Sequence, residues 1–110
     1  MAKASFVQKG DNIDYVAAAD IGYMDVVVLT DRIGVALEAI ANGATGTVTL
    51  TGVFDFPAAT GSGKALTVGE KVYWDATNNV ITPTATDNTF AGYAVAAKAA
   101  SDTTARVRIG

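Results

Sequence analysis

The sequence has no cysteine and no histidine. The first absence excludes disulfides, thiolate nucleophiles and thiolate metal sites. The second removes the commonest general base, the commonest metal ligand and the side chain that titrates near neutral pH. Charge is sparse as well: 17% of the 110 residues are charged, and the formal net charge is −3. A nucleic-acid binder usually shows a basic face, whereas the basic residues here are scattered and the tightest pair is Arg106 and Arg108. Apolar runs are short, with "VVVL" (26–29) and "YAVAA" (93–97) among the longest, against the roughly 20 residues that a membrane-spanning helix needs. The opening "MAKASFVQKGDN" has no apolar stretch after its lysine, so no secretory leader is expected. These absences point to a soluble single domain, made in the cytoplasm, with neither nucleic acid nor membrane as a partner.

What is present favours strands. Half of the residues are hydrophobic, enough for a core without covalent staples, and the mixture of Thr, Val and Gly suits strands and tight turns. "TVTLTGV" (47–53) alternates strictly, with Val48 and Leu50 on one side and threonines on the other, and reads as a half-buried strand. Asn42-Gly43 before it is a hairpin signal, which makes "IGVALEAI" (33–40) its partner. The spacing of Leu37, Ile40 and Ala41 is also helical, so we expect strand to about Leu37 and a turn region beyond. "DVVVLT" (25–30) reads as a strand with both faces at least partly covered. "EKVYWDATNNVITP" (70–83) reads as a hairpin turning at Asn78-Asn79, with Val72 and Trp74 on one face and Tyr73 on the other. "NIDYVA" (12–17), "FAGYAVAA" (90–97) and "ARVRIG" (105–110) complete the set, the last with Val107 and Ile109 inward and Arg106 and Arg108 outward. There is a faint internal echo between residues 34–52 and 92–110, each preceded by a Gly-led strand unit, "IGYMDVVVL" and "VGEKVYWD". Short strands at this spacing, without convincing amphipathic helices, predict an all-β fold: a small β-barrel or sandwich of short antiparallel strands joined by tight turns. The expected organisation is an N-terminal arm or edge strand over 1–12 and a single domain over 13–110.

No motif carries chemistry. "TGSGKA" (60–65) resembles a phosphate-binding loop, but the pattern G-x-x-x-x-G-K-[ST] fails at Ala58 and at Ala65, and the second failure removes the hydroxyl that would meet the magnesium. The β-branched, glycine-broken stretch after it makes a poor helix to hold phosphate. It reads as a polar turn. Asp11, Asp14, Asp20, Asp25 and Asp31 are dispersed and suit turns and surface. "DATNN" (75–79) lacks the spacing and terminal glutamate of a calcium loop. Ser5, Ser62 and Ser101 have no histidine to activate them. We therefore expect no catalytic residue, no cofactor-binding residue and no metal ligand, and a function that lies in surfaces.

Several stretches together resemble a known family: "FVQKGDNIDY" (6–15), "DVVVL" (25–29), "IGVALEAIANGATGTV" (33–48), "GVFDFP" (52–57), "GEKVYWD" (69–75), "GYAV" (92–95) and "RVRI" (106–109). In this order and spacing they are similar to capsid decoration, or cement, proteins of tailed bacteriophages and prophages. No single motif is diagnostic; the ordered set covers nearly the whole chain. The resemblance implies a β-barrel-like domain assembled as a homotrimer on the outer surface of the virion head, clamping neighbouring subunits of the major capsid protein after expansion, without cofactor or catalysis. The candidate capsid-facing arm is then the N-terminal segment, with Lys3, Ser5, Phe6, Val7 and Gln8. Phe54, Phe56 and Trp74 are candidates for the core or the subunit interface. Two other readings compete: a generic virion β-module that binds a glycan or host surface, and a nucleotide-dependent recombinase-like enzyme, for which the phosphate loop is missing.

Overall fold

Alternating β-branched segments broken by glycine and asparagine turns give nine strands in the computed structural model, which describes residues 3–110. They are β1 (Asn12–Val16), β2 (Val26–Leu29), β3 (Arg32–Ala36), β4 (Thr45–Thr49), β5 (Gly52–Pro57), β6 (Lys71–Asp75), β7 (Val80–Thr82), β8 (Thr89–Ala94) and β9 (Thr104–Ile109). There is no helix among the described residues. The strands form two antiparallel sheets, ordered β1-β4-β3-β2 and β5-β9-β8-β6-β7. The fold is all-β and sandwich-like; the two sheets keep separate edges and do not close into a barrel.

Pleating decides which face of each sheet is buried. In the first sheet the front face carries Ile13, Tyr15, Val27, Leu29, Ala36 and Val48, which cluster with Ala17, Ile21 and Ile40. The back face of β3 carries Ile33 and Val35, at 1% and 2% exposure. These two, with Val26, belong to the larger core, where they pack against Phe56, Val72, Trp74, Ile81, Ala94, Val107 and Ile109 on the front face of the second sheet. The sheets are thus stacked, the back of the first covering the front of the second.

The echo in the sequence is a structural repeat. Strands β1, β4, β3 and β2 stand in the same order as β5, β9, β8 and β6. Ile21 and Ile40 exchange two backbone hydrogen bonds of 2.8 Å, and Leu66 and Lys98 exchange two of 2.9 and 3.0 Å. The Met24 amide donates to Ala36 and the Gly69 amide to Ala94; the Ala17 amide donates to Ala44 and the Ala58 amide to Thr103. The turns before β2 and β6 are capped alike, Gly22 N donating to Asp25 Oδ2 and Thr67 N to Glu70 Oε1. These bonds equate Met24 with Gly69, both at positive φ (66° and 89°). The sequence echo pairs Gly22 with Gly69 instead and is two residues out of phase there. The β7 hairpin is the addition peculiar to the second unit.

Two further expectations are corrected. The alternating run 47–53 is not one strand: β4 ends at Thr49, and β5 starts at Gly52 in the other sheet. Gly52 lies at φ 134°, a conformation that costs glycine little, and lets the chain leave one sheet for the other. Asn42-Gly43 does not make a two-residue hairpin; β3 and β4 pair, but through a loop over 37–44 in which Ile40 is buried and pairs with Ile21.

Gly92 occupies a bulge where Ala91 is the extra residue opposite β6. A Cβ on Gly92 would collide with the Arg108 carbonyl oxygen, a backbone atom that cannot step aside. Gly92→Ala is expected to cost about 2–3 kcal/mol, in the range for overpacking a rigid site, measured by denaturant unfolding followed through Trp74 fluorescence. An unchanged midpoint would show that the β8–β9 pairing is looser than described.

Candidate interaction surfaces

Phe56 and Trp74 are buried (3% and 5% exposed) in the main core, and their rings lie 6.2 Å apart. Phe54 is half-buried against the same core, edge-on to Phe56 at 6.0 Å. All three belong to the front face of the second sheet. The N-terminal arm lies elsewhere. Residues 3–11 precede β1 and contain no strand, and Lys3, Ser5, Phe6, Val7 and Gln8 are all exposed. Phe6 and Val7 are each 86% exposed, the most exposed large apolar side chains described. Gln8 Nε2 donates to the Asn12 carbonyl at 3.3 Å, where the arm joins the sheet. Met1 and Ala2, the first two residues of the expected arm, lie outside the described residues. β1 is an edge strand of its sheet, so the arm leaves the fold beside an open row of backbone groups.

The glycine-rich segment 60–65 is a loop. Gly61 and Gly63 have positive φ (114° and 78°), and the Lys64 amide donates back to the Gly61 carbonyl. Lys64 Nζ reaches Thr84 Oγ1 at 3.4 Å. What holds the loop is a residue that sequence reasoning missed. Lys98, only 5% exposed, donates from Nζ to the carbonyls of Lys64 and Ala99, each at 3.0 Å. It stands where the first unit has Ile40, so its place in the repeat was the signal. Asp75 organises the β6–β7 turn: Oδ1 accepts from the Thr77 and Asn78 amides and Oδ2 from Asn78 Nδ2. The Asn78 side chain and then its amide hold the Asp75 carboxyl below the usual carboxylate range. The bidentate bond from Arg106 does the same for Asp55. Both contributions to stability are present above that range and fade as pH falls through the lowered values.

Clefts are open and shallow. One of about 420 Å³ runs between Val26, Pro57, Trp74 and Asn79, and another of about 380 Å³ lies beside Asp55 and Arg106. Among the described residues no group of three or more acidic side chains is placed to hold a metal ion, and no helix is long and apolar enough to cross a membrane. The most continuous aromatic surface is the back of the second sheet. Tyr73, Phe90 and Tyr93 form a chain of edge-to-face rings at 5.8 and 5.7 Å, with Val53, Tyr93 and Val95 at 55%, 46% and 38% exposure.

The architecture is that of a small all-β module whose clefts are open and shallow. The sequence model of the phage cement proteins matches residues 7–109, nearly the whole chain. The chain belongs to the phage cement protein family, a family of structural virion proteins, and this gives it a role in capsid decoration. No curated protein and no solved structure gave a match.

Lys98→Ala leaves two carbonyls facing a void and is expected to cost about 1–3 kcal/mol, the desolvation cost of buried acceptors left unpaired. Limited proteolysis should then cut first within 60–65. Equal stability and equal cleavage would mean that Nζ does not secure the loop.

Proposed function

We propose that the protein binds the outer surface of an expanded phage head as a trimer and stabilises it by non-covalent clamping of neighbouring major capsid protein subunits. The observation that carries this reading beyond family membership is the arm. An aromatic and a β-branched side chain, Phe6 and Val7, stand almost fully in water, a large apolar exposure on a segment outside both sheets. Such a segment suits addition to an exposed sheet edge, with main-chain hydrogen bonds supplying affinity and alternate side chains entering pockets. One rigid assembly touching several shell subunits converts weak contacts into tight attachment by raising the effective concentration of the second and third. In this reading no bond is made or broken, and synthesis takes place in the bacterial cytoplasm, before the head is decorated.

The test is co-sedimentation of the purified protein with undecorated heads, before and after expansion, with bound copies counted. Saturable binding to expanded heads in multiples of three is expected. Phe6→Ala should weaken that binding about tenfold or more, as for an anchor worth at least 1.4 kcal/mol, while leaving the unfolding curve unchanged. Wild-type affinity in the variant would remove Phe6 from the contact. Failure of the native protein to bind either form of head would move the function to another surface of the virion, such as a glycan-binding tail module.

A further inference from the structure

The two repeated units are alike in fold but not in cover. In the second unit the front-face residues Phe56, Leu66 and Trp74 are at 3%, 4% and 5% exposure. Their counterparts by the shared hydrogen-bond pattern are Tyr15, Ile21 and Leu29, and these are only half-buried, as is Ile13, the counterpart of Phe54. The cause is visible within the chain. Ile33, Val35 and Val26, on the back of the first unit, plug the front of the second. Nothing among the described residues plugs the front of the first: its core has five buried hydrophobic residues against thirteen in the other.

The plug also has a counterpart. Strand pairing equates Val28 and Ile33 with Tyr73 and Phe90, and Val26 and Val35 with Lys71 and Tyr93. So the back of the second unit carries a plug-like surface, with Tyr73, Phe90 and Tyr93 where the first unit has the aliphatic side chains of Val28, Ile33 and Val35, and it stands open. The chain thus has one used socket and one used plug, and one free socket and one free plug of the same design. Charge fits as well: Asp20, which accepts from the Asn42 amide, lies beside Ile21 and Tyr15 at a cleft of about 250 Å³ along the β2 edge of the free socket, and Lys71 and Arg108 flank Tyr93 on the free plug. The accessible surface is 6633 Å² for 11.2 kDa, against about 5,700 Å² for a compact monomer of that mass. The extended arm accounts for part of the difference.

We propose that the occupant of the free socket is a second copy of this chain, docking its Tyr73–Phe90–Tyr93 face onto Ile13, Tyr15, Ile21 and Leu29. The contact repeats between chains the sheet-on-sheet packing made within each. It is head-to-tail, so it closes into a ring where the rotation per copy allows and otherwise runs on as a filament; a closed ring of three is the expected form. The two faces are read from this chain alone; only the expected count of three copies rests on the decoration reading above.

The experiment is sedimentation equilibrium of the full chain at micromolar concentration, without heads, so that its outcome is independent of shell binding. The native chain should sediment at three times the chain mass. Tyr93→Glu spoils the plug and keeps the socket; Leu29→Glu spoils the socket and keeps the plug. Each alone should be a monomer, and an equimolar mixture should give a 1:1 dimer that grows no further, because both outer ends are spoiled. A symmetric back-to-back interface would instead be lost in Tyr93→Glu and kept in Leu29→Glu. Circular dichroism and Trp74 fluorescence establish folding, and Ile13→Glu replaces Leu29→Glu if the latter unfolds. A monomeric native chain, variants that assemble like the native chain, or folded variants that stay monomeric on mixing would each overturn the proposal. A native assembly of another size with the same mixing behaviour would keep the two faces and overturn only the number three.

Discussion

The structure depends on two side chains of β3. Ile33 and Val35 leave their own sheet on the side away from its cluster and complete the core of the other. Fully burying an aliphatic side chain of this size stabilises by about 1.5–3 kcal/mol. Their contribution matters more for where it falls than for its size, because among the described residues they are the fully buried side chains by which the first unit enters the core of the second, with Val26 packed beside them. Gly34, between them, is tied to the same constraint from the other side. A Cβ there would lie 2.5 Å from Val48 Cγ1, so glycine lets β3 sit close to β4 at this point, while its large apolar residues, Ile33 and Val35, are directed to the second sheet.

A protein built this way needs no reactive group. Its polar side chains are spent on local order: Asp25 and Glu70 cap equivalent turns, Asp75 closes a hairpin, and Lys98 fastens a loop. Membership of the phage cement family fits that distribution, since a decoration protein has to present rigid faces rather than a chemical site. The glycine-rich segment that resembles a phosphate loop shows the difference. Its glycines serve positive φ, and its surroundings are a sheet edge and a buried lysine rather than a helix N-terminus.

Much of the fold was legible in the sequence wherever alternation ran without interruption. Val72 with Trp74, and Val107 with Ile109, read as inward pairs and are buried. Alternation says nothing, however, about which sheet a strand joins. The run 47–53 keeps its period through the point where the chain crosses from β4 to β5, and only Gly52 marks the change. The internal echo was in register at β3 and β8, where Ala36 matches Ala94, but two residues out at β2 and β6, because a glycine in one unit was matched with a glycine in the other. The conserved quantity is the left-handed backbone, met by Met24 in one unit and Gly69 in the other. Phe6 and Val7 stood out as an apolar pair on a polar arm, but no pattern in the sequence could separate an arm from an edge strand.

The position of β9 has a consequence for how copies are made. It is the last strand of the fold, yet it lies inside the second sheet, between β5 and β8. Domains fold as synthesis proceeds, N-terminal parts first, but here β5 has no neighbour on that side and Ile33 and Val35 have only part of their core until β9 is in place. A chain cut short before residue 104 would display half a core and no finished sheet for it. Premature termination or clipping therefore gives an aggregation-prone fragment rather than a slightly smaller competitor. The strand order acts as a completeness check, passed only by chains translated through to the final strand.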